Sequence, residues 1–110
     1  MIYQPQQGDI VMMDCQPLSG SAQRDRRSVL VVSNVSFHHY TRMAIVCPIT
    51  NKDKGFPMHV KLDERTKTNG VILCEQAKSL DYTARNAVYV EGVPEDIIAE
   101  VVKRIQLSVN

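Results

Sequence analysis

The sequence predicts a mainly β fold, a small barrel of short antiparallel strands with one C-terminal helix. Short runs of β-branched and apolar residues recur along the first four fifths of the 110-residue chain, and turn-forming residues separate them. Near the C-terminus the spacing of apolar residues changes to three and four, which is typical of a helix. A chain of this length fits a single domain, 1–110, with a modest core.

Six segments have the composition of strands. Each is rich in Val, Ile, Leu or Met, and Gly, Pro, Asn or Asp residues lie between them. The predicted strands are 10–13, 29–33, 43–47, 58–62, 71–74 and 87–90. The turn signals at 17–20, 54–57 and 68–70 are those of an antiparallel meander.

The last segment has the pattern of an amphipathic helix that begins at Pro94. A proline suits the first helical position, and acidic residues in the first turn with basic ones in the last complement the helix dipole. We expect its apolar stripe to pack on the sheet. A second, shorter helix is predicted at 79–85. The apolar stripe of the C-terminal helix consists of Ile97, Ile98, Val101, Val102 and Ile105.

Composition and charge favour a folded domain that does not cross a membrane. Hydrophobic residues make up 44% of the chain and charged residues 23%, both near the average for globular proteins. The net charge of +1 means that affinity for nucleic acid must come from local clusters. No apolar run approaches the roughly 20 residues of a spanning helix, and no signal-peptide pattern opens the chain. We expect a cytoplasmic protein.

The cysteines and histidines do not have the spacing of a metal site. Cys15, Cys47 and Cys74 are odd in number and have apolar neighbours, so we expect them to be reduced and buried. The three histidines lack the paired spacing of zinc ligands. The sequence therefore predicts neither a metal nor a cofactor.

Positive charge is concentrated in the loop 20–27. It holds Arg24, Arg26 and Arg27, with only Asp25 as a local carboxylate. Crowded guanidinium groups repel one another unless an anion lies among them, and their fixed fork of donors suits phosphate oxygens. The loop is therefore either a solvated surface or a phosphate site. The position of Arg27 favours the phosphate site, because a side chain at a strand edge keeps a more defined orientation than one in the middle of a loop.

Two other strand ends carry polar side chains. Thr50 follows an apolar strand, and its hydroxyl either donates to a phosphate oxygen or serves an ordinary turn. Glu75 and Gln76 follow the fifth predicted strand and either orient a substrate or hold a loop. Lys78 and Arg85 add positive charge beyond them. The chain contains no phosphate-binding P-loop, dinucleotide fingerprint or Ser/His/Asp triad.

In their order and spacing, these segments resemble the MazF/PemK family of bacterial toxin–antitoxin toxins, also called Kid-like. The resemblance extends over nearly the whole chain. The matching pieces are 8–10, Pro17 with Gly20, Ser21 and Gln23, Arg27 with 29–32, 48–50, 54–57, 70–73, 76–79 and Arg85.

The resemblance implies an SH3-like barrel of the CcdB/MazF type, a homodimer, and a metal-independent endoribonuclease. Such toxins, called mRNA interferases, cleave single-stranded mRNA at specific sequences without the ribosome and arrest growth. Their products carry 2′,3′-cyclic phosphate and 5′-hydroxyl ends. The resemblance also implies a cognate acidic antitoxin, similar to MazE or PemI, whose C-terminal segment covers the RNA-binding surface.

The family's catalytic arginine and threonine carry over to Arg27 and Thr50. The resemblance implies that Arg27 stabilises charge on the scissile phosphate and that Thr50 holds a phosphate oxygen. Some PemK-type members use a His, an Arg and an Asp, of which only the last keeps its chemical type here, as Glu75. Glu75 is our third catalytic candidate. The RNA-binding candidates are Ser21, Gln23, Arg24, Arg26, Asn51, Lys54, Gln76, Lys78 and Arg85.

The general acid and base stay open at this point. Ala22 and Ser28 stand where many relatives have a glutamate and a proline, which removes one acid–base candidate. Arginine is a poor proton carrier because its pKa is very high. We therefore expect Glu75, His38 or His39 to assist through water.

Two other functions remain open on sequence grounds. A gyrase-poisoning, CcdB-like toxin on the same barrel would depend on the end of the C-terminal helix and would need no arginine loop. A peptide-binding SH3-like adaptor would need a groove lined with aromatic residues, but the chain has only two Phe, four Tyr and no Trp. An RNA-cleavage assay separates the three functions.

Overall fold

Short antiparallel strands form most of the structure. The computed structural model describes residues 3–15, 26–53 and 55–109. Its strands are β1 (Asp9–Asp14), β2 (Arg26–Val31), β3 (Ala44–Thr50), β4 (His59–Lys61), β5 (Val71–Leu73), β6 (Lys78–Leu80) and β7 (Val88–Gly92). Its helices are α1 (Val35–Thr41) and α2 (Glu95–Val109), and 3₁₀ turns cover Cys74–Gln76 and Tyr82–Ala84.

All six predicted strands are confirmed, with ends that differ from the prediction by up to three residues. Two differences of three residues have a functional consequence: β2 begins at Arg26 instead of residue 29, and β3 ends at Thr50 instead of residue 47. Arg26 and Arg27 are therefore part of a strand that pairs with β1, where Arg27 lies across from Met13. Their backbone is fixed by the ladder, whereas loop residues lack this restraint.

Strand β3 is the centre of the sheet. The strands follow the order β4-β5-β3-β2-β1-β7, and every pair is antiparallel. On the edge away from β2, the first half of β3 pairs with β6 and its last two residues pair with β5. Within the described ranges the strands make an open path, whose end strands β4 and β7 do not pair with each other. The predicted class, mainly β with a C-terminal helix, is confirmed.

The sheet buries side chains on both of its faces, because successive residues of a strand alternate between faces. One face carries Ile10, Leu30 and Ile72, which pack with Ile97 and Val101 of α2. Burying each of these large side chains is worth about 1.5–3 kcal/mol. The face away from α2 has its own cluster, which consists of Val11, Met13, Val29, Val31, Ala44, Val46, Leu80 and Tyr82.

The predicted C-terminal helix is confirmed as α2, and it is longer than its apolar stripe indicated. It continues to Val109, so Lys103 and Arg104 lie in its middle instead of its last turn. Arg104 pairs with Glu100 at 2.9 Å and donates to the carbonyl of Pro57. The hydrogen bond to Pro57 attaches α2 to the segment that precedes β4. No helix within the described ranges is long and apolar enough to cross a membrane.

Helix α1 was not predicted, because its sequence has no amphipathic repeat. Asn34 caps it by accepting a hydrogen bond from the Phe37 amide at 2.9 Å. His38, a residue of this helix, has a buried side chain. Its Nε2 lies 2.5 Å from Ser33 Oγ and its Nδ1 lies 3.0 Å from the Pro5 carbonyl oxygen. Tertiary contacts of one buried side chain therefore hold this short helix in place.

The helix predicted at 79–85 is wrong. Lys78–Leu80 instead forms β6, which pairs with the first half of β3. A 3₁₀ turn follows, capped by Asp81, whose carboxylate accepts from the Thr83 amide at 2.9 Å. The open edge of β3 offers backbone hydrogen bonds that override the weak local helical pattern.

The prediction of reduced, buried cysteines holds for two of the three. Cys47 and Cys74 are buried free thiols, whereas Cys15 is only half-buried. Burial raises the pKa of Cys47 to about 12 and that of Cys74 to about 11. Both buried thiols therefore serve as small apolar groups in the core.

Candidate functional site

The β2–β3 register brings two catalytic candidates together. Val29 pairs with Pro48, and the same register carried two residues further sets Arg27 across from Thr50. Residues that face each other in antiparallel strands direct their side chains to the same face. By alternation this is the face of Val29, away from α2. This continued register thus places the Arg27 and Thr50 side chains on the same face, at the start of β2 and the end of β3.

The register extends this pair across two further strands. Thr50 pairs with Val71 of β5, and Val71 pairs with Lys61 of β4. We call these four residues, Arg27, Thr50, Val71 and Lys61, the Arg27–Thr50 row. Strands lie about 4.8 Å apart, so the row spans about 14 Å. Arg27 and Lys61 are exposed and Thr50 is half-buried, so the row offers two cations and a hydroxyl to a ligand.

A close backbone approach fixes Thr50. Its Oγ1 accepts a hydrogen bond from the Lys52 amide at 3.2 Å, which leaves the hydroxyl hydrogen for a ligand. Gly70, which precedes β5, has φ of +123°. A Cβ at Gly70 would stand 2.4 Å from the Thr50 carbonyl oxygen, so only glycine fits there.

The third catalytic candidate, Glu75, belongs to a cluster that the sequence analysis missed. His59 Nε2 lies 3.2 Å from Glu75 Oε2, and His59 Nδ1 lies 3.9 Å from Asp53 Oδ1. The Phe56 ring packs on the imidazole with centroids 5.3 Å apart. We call Asp53, Phe56, His59 and Glu75 the His59 cluster. The His59 side chain is 5% exposed and that of Glu75 is 31% exposed, so the carboxylate is the accessible member.

The His59 cluster adjoins the Arg27–Thr50 row. His59 is two residues from Lys61 on β4 and therefore lies on the same face of the sheet. Lys61 Nζ lies 3.3 Å from Asp53 Oδ2, which joins the row to the cluster. The amide of Gly55, which donates to Asp53 at 2.8 Å, together with Lys61 and His59 lowers the pKa of Asp53. Asp53 is therefore ionised at neutral pH.

The His59 cluster is not a metal centre. No group of His, Cys, Asp and Glu side chains within the described ranges could hold a metal ion. The geometry explains this, because Asp53 and Glu75 face opposite nitrogens of the imidazole and their oxygens do not converge. The arrangement is that of one imidazole ring between two carboxylates.

Arg26 and Arg85 are directed at the protein itself. The buried carboxylate of Asp14 accepts from Arg26 Nη1 at 3.0 Å and from Asn86 Nδ2 at 2.8 Å. Arg26 Nη2 also donates to the carbonyls of Met12 and Asn86 at 3.3 and 3.0 Å. Arg85 Nη1 donates to the Asp14 carbonyl at 3.1 Å. These contacts fix the end of β1 against the start of β2.

The other RNA-binding candidates fall into two groups. Asn51, Gln76 and Lys78 are exposed, the first two directly after Thr50 and Glu75. Lys78 is in β6, across from Val46 of β3. The remaining candidates lie outside the described residues; they are Ser21, Gln23, Arg24 and Lys54.

The structure does not bring His38 and His39 to this site. Both are in α1, which joins the end of β2 to the start of β3. Arg27 and Thr50 are at the other ends of these strands. His38 is moreover buried against Ser33. The histidine near the row is His59, and its only signal in the sequence is its alternation with Lys61 in a short strand.

Comparisons with known proteins agree with the fold and identify the family. A family model described as "PemK-like, MazF-like toxin of type II toxin-antitoxin system" matches residues 6–109. Endoribonuclease PemK of Escherichia coli is 34% identical over 106 residues, which cover 91% of this chain and 78% of that protein. Endoribonuclease toxin MazF of Escherichia coli strain K12 is 35% identical over 85 residues, which cover 77% of this chain and 76% of that protein.

Solved structures of this type are also similar along nearly the whole chain. A MazE-MazF crystal structure (Form-II) from Deinococcus radiodurans aligns with a TM-score of 0.87 at 32% identity, covering 97% of this chain and 96% of that one. An endoribonuclease in complex with its cognate antitoxin from Mycobacterial species shares the fold, with a TM-score of 0.77 at 14% identity over 96% of this chain and 94% of that one. The chain therefore belongs to the PemK-like, MazF-like toxins of type II toxin–antitoxin systems.

Proposed function

We propose that this endoribonuclease toxin binds and cleaves single-stranded RNA on the Arg27–Thr50 row. The observation that carries the proposal is the pairing of Val29 with Pro48, because the same register continued by two residues sets Arg27 across from Thr50. A guanidinium and a hydroxyl on adjacent strand ends can hold two oxygens of one phosphate. The relatives PemK and MazF of Escherichia coli are endoribonucleases, which favours this function over a gyrase-poisoning toxin on the same fold.

The chemistry follows from the groups on the row. The 2′-oxygen of the substrate attacks the neighbouring phosphorus, the bond from phosphorus to the 5′-oxygen breaks, and that oxygen takes a proton from water. The products carry a 2′,3′-cyclic phosphate and a 5′-hydroxyl. Arg27 stabilises the charge that grows on the phosphate oxygens, and Thr50 donates its free hydroxyl hydrogen to one of them. Positioning contributes strongly to catalysis because the nucleophile is part of the substrate.

In this proposal Glu75 receives the proton of the 2′-hydroxyl through a bridging water. Val71 pairs with Thr50, and the turn that holds Glu75 follows β5, so Glu75 lies about 10 Å along the sheet from Thr50. That separation suits transfer through a water better than direct contact. Asn51, Gln76 and Lys78 contact the flanking nucleotides. Arg26 and Arg85 act indirectly, because their guanidinium groups hold Asp14 and its neighbours.

The test is cleavage of a long in vitro transcript by Arg27→Ala and Thr50→Ala. We expect each rate to fall about a hundredfold to a thousandfold, as when one charge-stabilising donor is removed from an active site. Lys103→Ala is the matched control, since Lys103 is an exposed cation on α2, which packs on the other face. Cleavage by Arg27→Ala at the rate of the Lys103→Ala control would refute the proposed site.

We further propose that the toxin acts in the cytoplasm as a homodimer and is neutralised by an acidic antitoxin. The MazE-MazF structures of Deinococcus radiodurans support such a partner, since they pair a similar toxin with MazE. Carboxylates of an acidic segment compete with phosphates for Arg27 and Lys61. In β7, the end strand of the path, Val88, Tyr89 and Val90 are exposed and suit contact with a second chain. Sedimentation of the free toxin as a fully active monomer would refute the dimer.

A further inference from the structure

His59 occupies a position that the proposed mechanism does not yet use. Its imidazole is almost completely buried, under the Phe56 ring and between two carboxylates. One carboxylate, Asp53, belongs to the segment that follows Thr50. The other, Glu75, belongs to the turn that follows β5. The ring therefore connects two parts of the site that come from different stretches of the chain.

The protonation state of the His59 ring decides which of the two carboxylates it can bind. A neutral ring with its proton on Nε2 donates to Glu75 but turns a bare Nδ1 toward the Asp53 carboxylate. The other neutral tautomer faces Asp53 correctly and loses Glu75. Nδ1 is buried and has no hydrogen-bond partner within the described ranges, although Asp53 lies at ion-pair distance. Only the imidazolium places a positive charge within ion-pair distance of both carboxylates.

The charges around the ring support the same conclusion. Asp53 and Glu75 face the ring directly, and the cation Lys61 is itself paired with Asp53 at 3.3 Å. Helix α2, which packs against β4, contributes Glu100 and Arg104, and these two charges pair with each other. The carboxylates therefore dominate the immediate surroundings of the imidazole.

We propose that His59, as an imidazolium, is a positioning residue that clamps Asp53 and Glu75 together and makes RNA cleavage depend on its proton. This inference rests on the proposed function of the Arg27–Thr50 row. The contact with Asp53 is the longer one, so loss of the proton releases the segment after Thr50 first. Glu75 then loses the donor that directs its second oxygen toward substrate. Cleavage accordingly falls when the ring loses this proton.

The first readout is the pH profile of kcat/KM on a long in vitro transcript, compared for wild type, His59→Gln and His59→Ala. The wild type loses activity on the alkaline side. His59→Gln keeps a donor for Glu75 but cannot titrate, so this decline disappears. His59→Ala loses the donor, and kcat falls about tenfold, as for one lost hydrogen bond to a charged group. His39→Gln, an exposed histidine on α1, is the control and keeps the wild-type profile.

The second readout needs no RNA. The Gly55 amide donates to Asp53 at 2.8 Å, so its hydrogen-exchange protection reports whether Asp53 is held. We expect protection to fall in His59→Ala and to stay in His39→Gln, at a temperature where unfolding curves show all variants folded. Two results together overturn the clamp. They are unchanged protection of the Gly55 amide in His59→Ala and an unchanged alkaline decline of kcat/KM in His59→Gln. Protection that depends on His59 in a protein that does not cleave RNA refutes the proposed function and keeps the clamp.

Discussion

Arg26 and Arg27 are adjacent in sequence, but their side chains have different surroundings in the structure. Arg26 donates to the Asp14 carboxylate and to two backbone carbonyls, whereas Arg27 is exposed at the start of β2 on the face away from α2. Replacing each in turn by alanine removes the same charge from the same strand. We predict that Arg26→Ala mainly lowers the free energy of unfolding and that Arg27→Ala mainly lowers the rate of cleavage.

The size of the expected loss in the free energy of unfolding for Arg26→Ala follows from the burial of its partner, Asp14. Removing one side of a buried ion pair costs about 3–5 kcal/mol, because the remaining charge stays in a poorly solvated place. The Asp14 side chain is 6% exposed, but that of Arg26 is 30% exposed and its charge is partly screened. We therefore expect a loss of about 3 kcal/mol, or roughly 10–20 °C in Tm for a domain of this size.

The magnitude for Arg27→Ala follows from its exposure. Exposed substitutions usually change stability by about 0.5 kcal/mol or less, whereas loss of a charge-stabilising donor lowers a rate about a hundredfold to a thousandfold. Urea denaturation gives the free energies, and cleavage of a long transcript at a temperature where both variants are folded gives the rates. Equal destabilisation by the two variants, or a folded Arg26→Ala as inactive as Arg27→Ala, would refute the assignment.

Three further predictions concern metal, pH and thiols. Cleavage should persist in excess chelator. It should stop when the 2′-hydroxyl at the cleaved site is replaced by hydrogen, since the nucleophile belongs to the RNA. Electrophoresis of the products checks both outcomes. Burial lowers the pKa of His38, so the unfolded chain binds more protons in mild acid and stability falls as the pH drops below about 6.5. Urea midpoints should show this slope flattened in His38→Gln and kept in His39→Gln. Iodoacetamide should label Cys15 in the native protein and spare Cys47 and Cys74, as peptide mass analysis would show, because burial raises the pKa of both thiols.

The elements that the sequence predicted well are those with strong local patterns. Helix α2 has a sustained apolar stripe, and the six predicted strands have β-branched or apolar runs between turn residues. Helix α1 and strand β6 have neither. The first depends on the Asn34 cap and on burial of His38, and the second on pairing with the open edge of β3. Such causes lie in the tertiary structure, so no window of sequence contains them.

The candidate site divides in the same way. Arg27, Thr50 and Glu75 were found because each stands at a strand end and matches the resemblance, but their roles stay predictions. Their relative placement required the registers that join β2, β3 and β5. His59 was missed because its partners come from the segment before β4 and from the turn after β5. Only the pairing of β4 with β5 brings the three side chains together.

Gly70 supports the site without belonging to it, and this leads to a prediction about geometry alone. Its φ of +123° is costly for any other residue, by about 1–3 kcal/mol. A Cβ would also lie 2.4 Å from the Thr50 carbonyl oxygen and 3.2 Å from Asn51 Oδ1. Because real Cβ atoms do not approach a backbone oxygen so closely, Gly70→Ala must displace the end of β3, and Thr50 moves with it.

We therefore expect Gly70→Ala to destabilise the protein and also to slow cleavage about a hundredfold, the typical effect of misplacing a catalytic group by about 1 Å. Gly8→Ala is the matched control. Gly8 has φ of +95°, but the nearest atom to its Cβ would be Val93 Cγ2 at 3.9 Å, an ordinary contact far from Thr50. It should therefore destabilise the protein and leave cleavage by the folded fraction unchanged. If the two variants lost stability and activity in the same proportion, the contact between Gly70 and Thr50 would have no role in the site, and backbone strain alone would explain both effects.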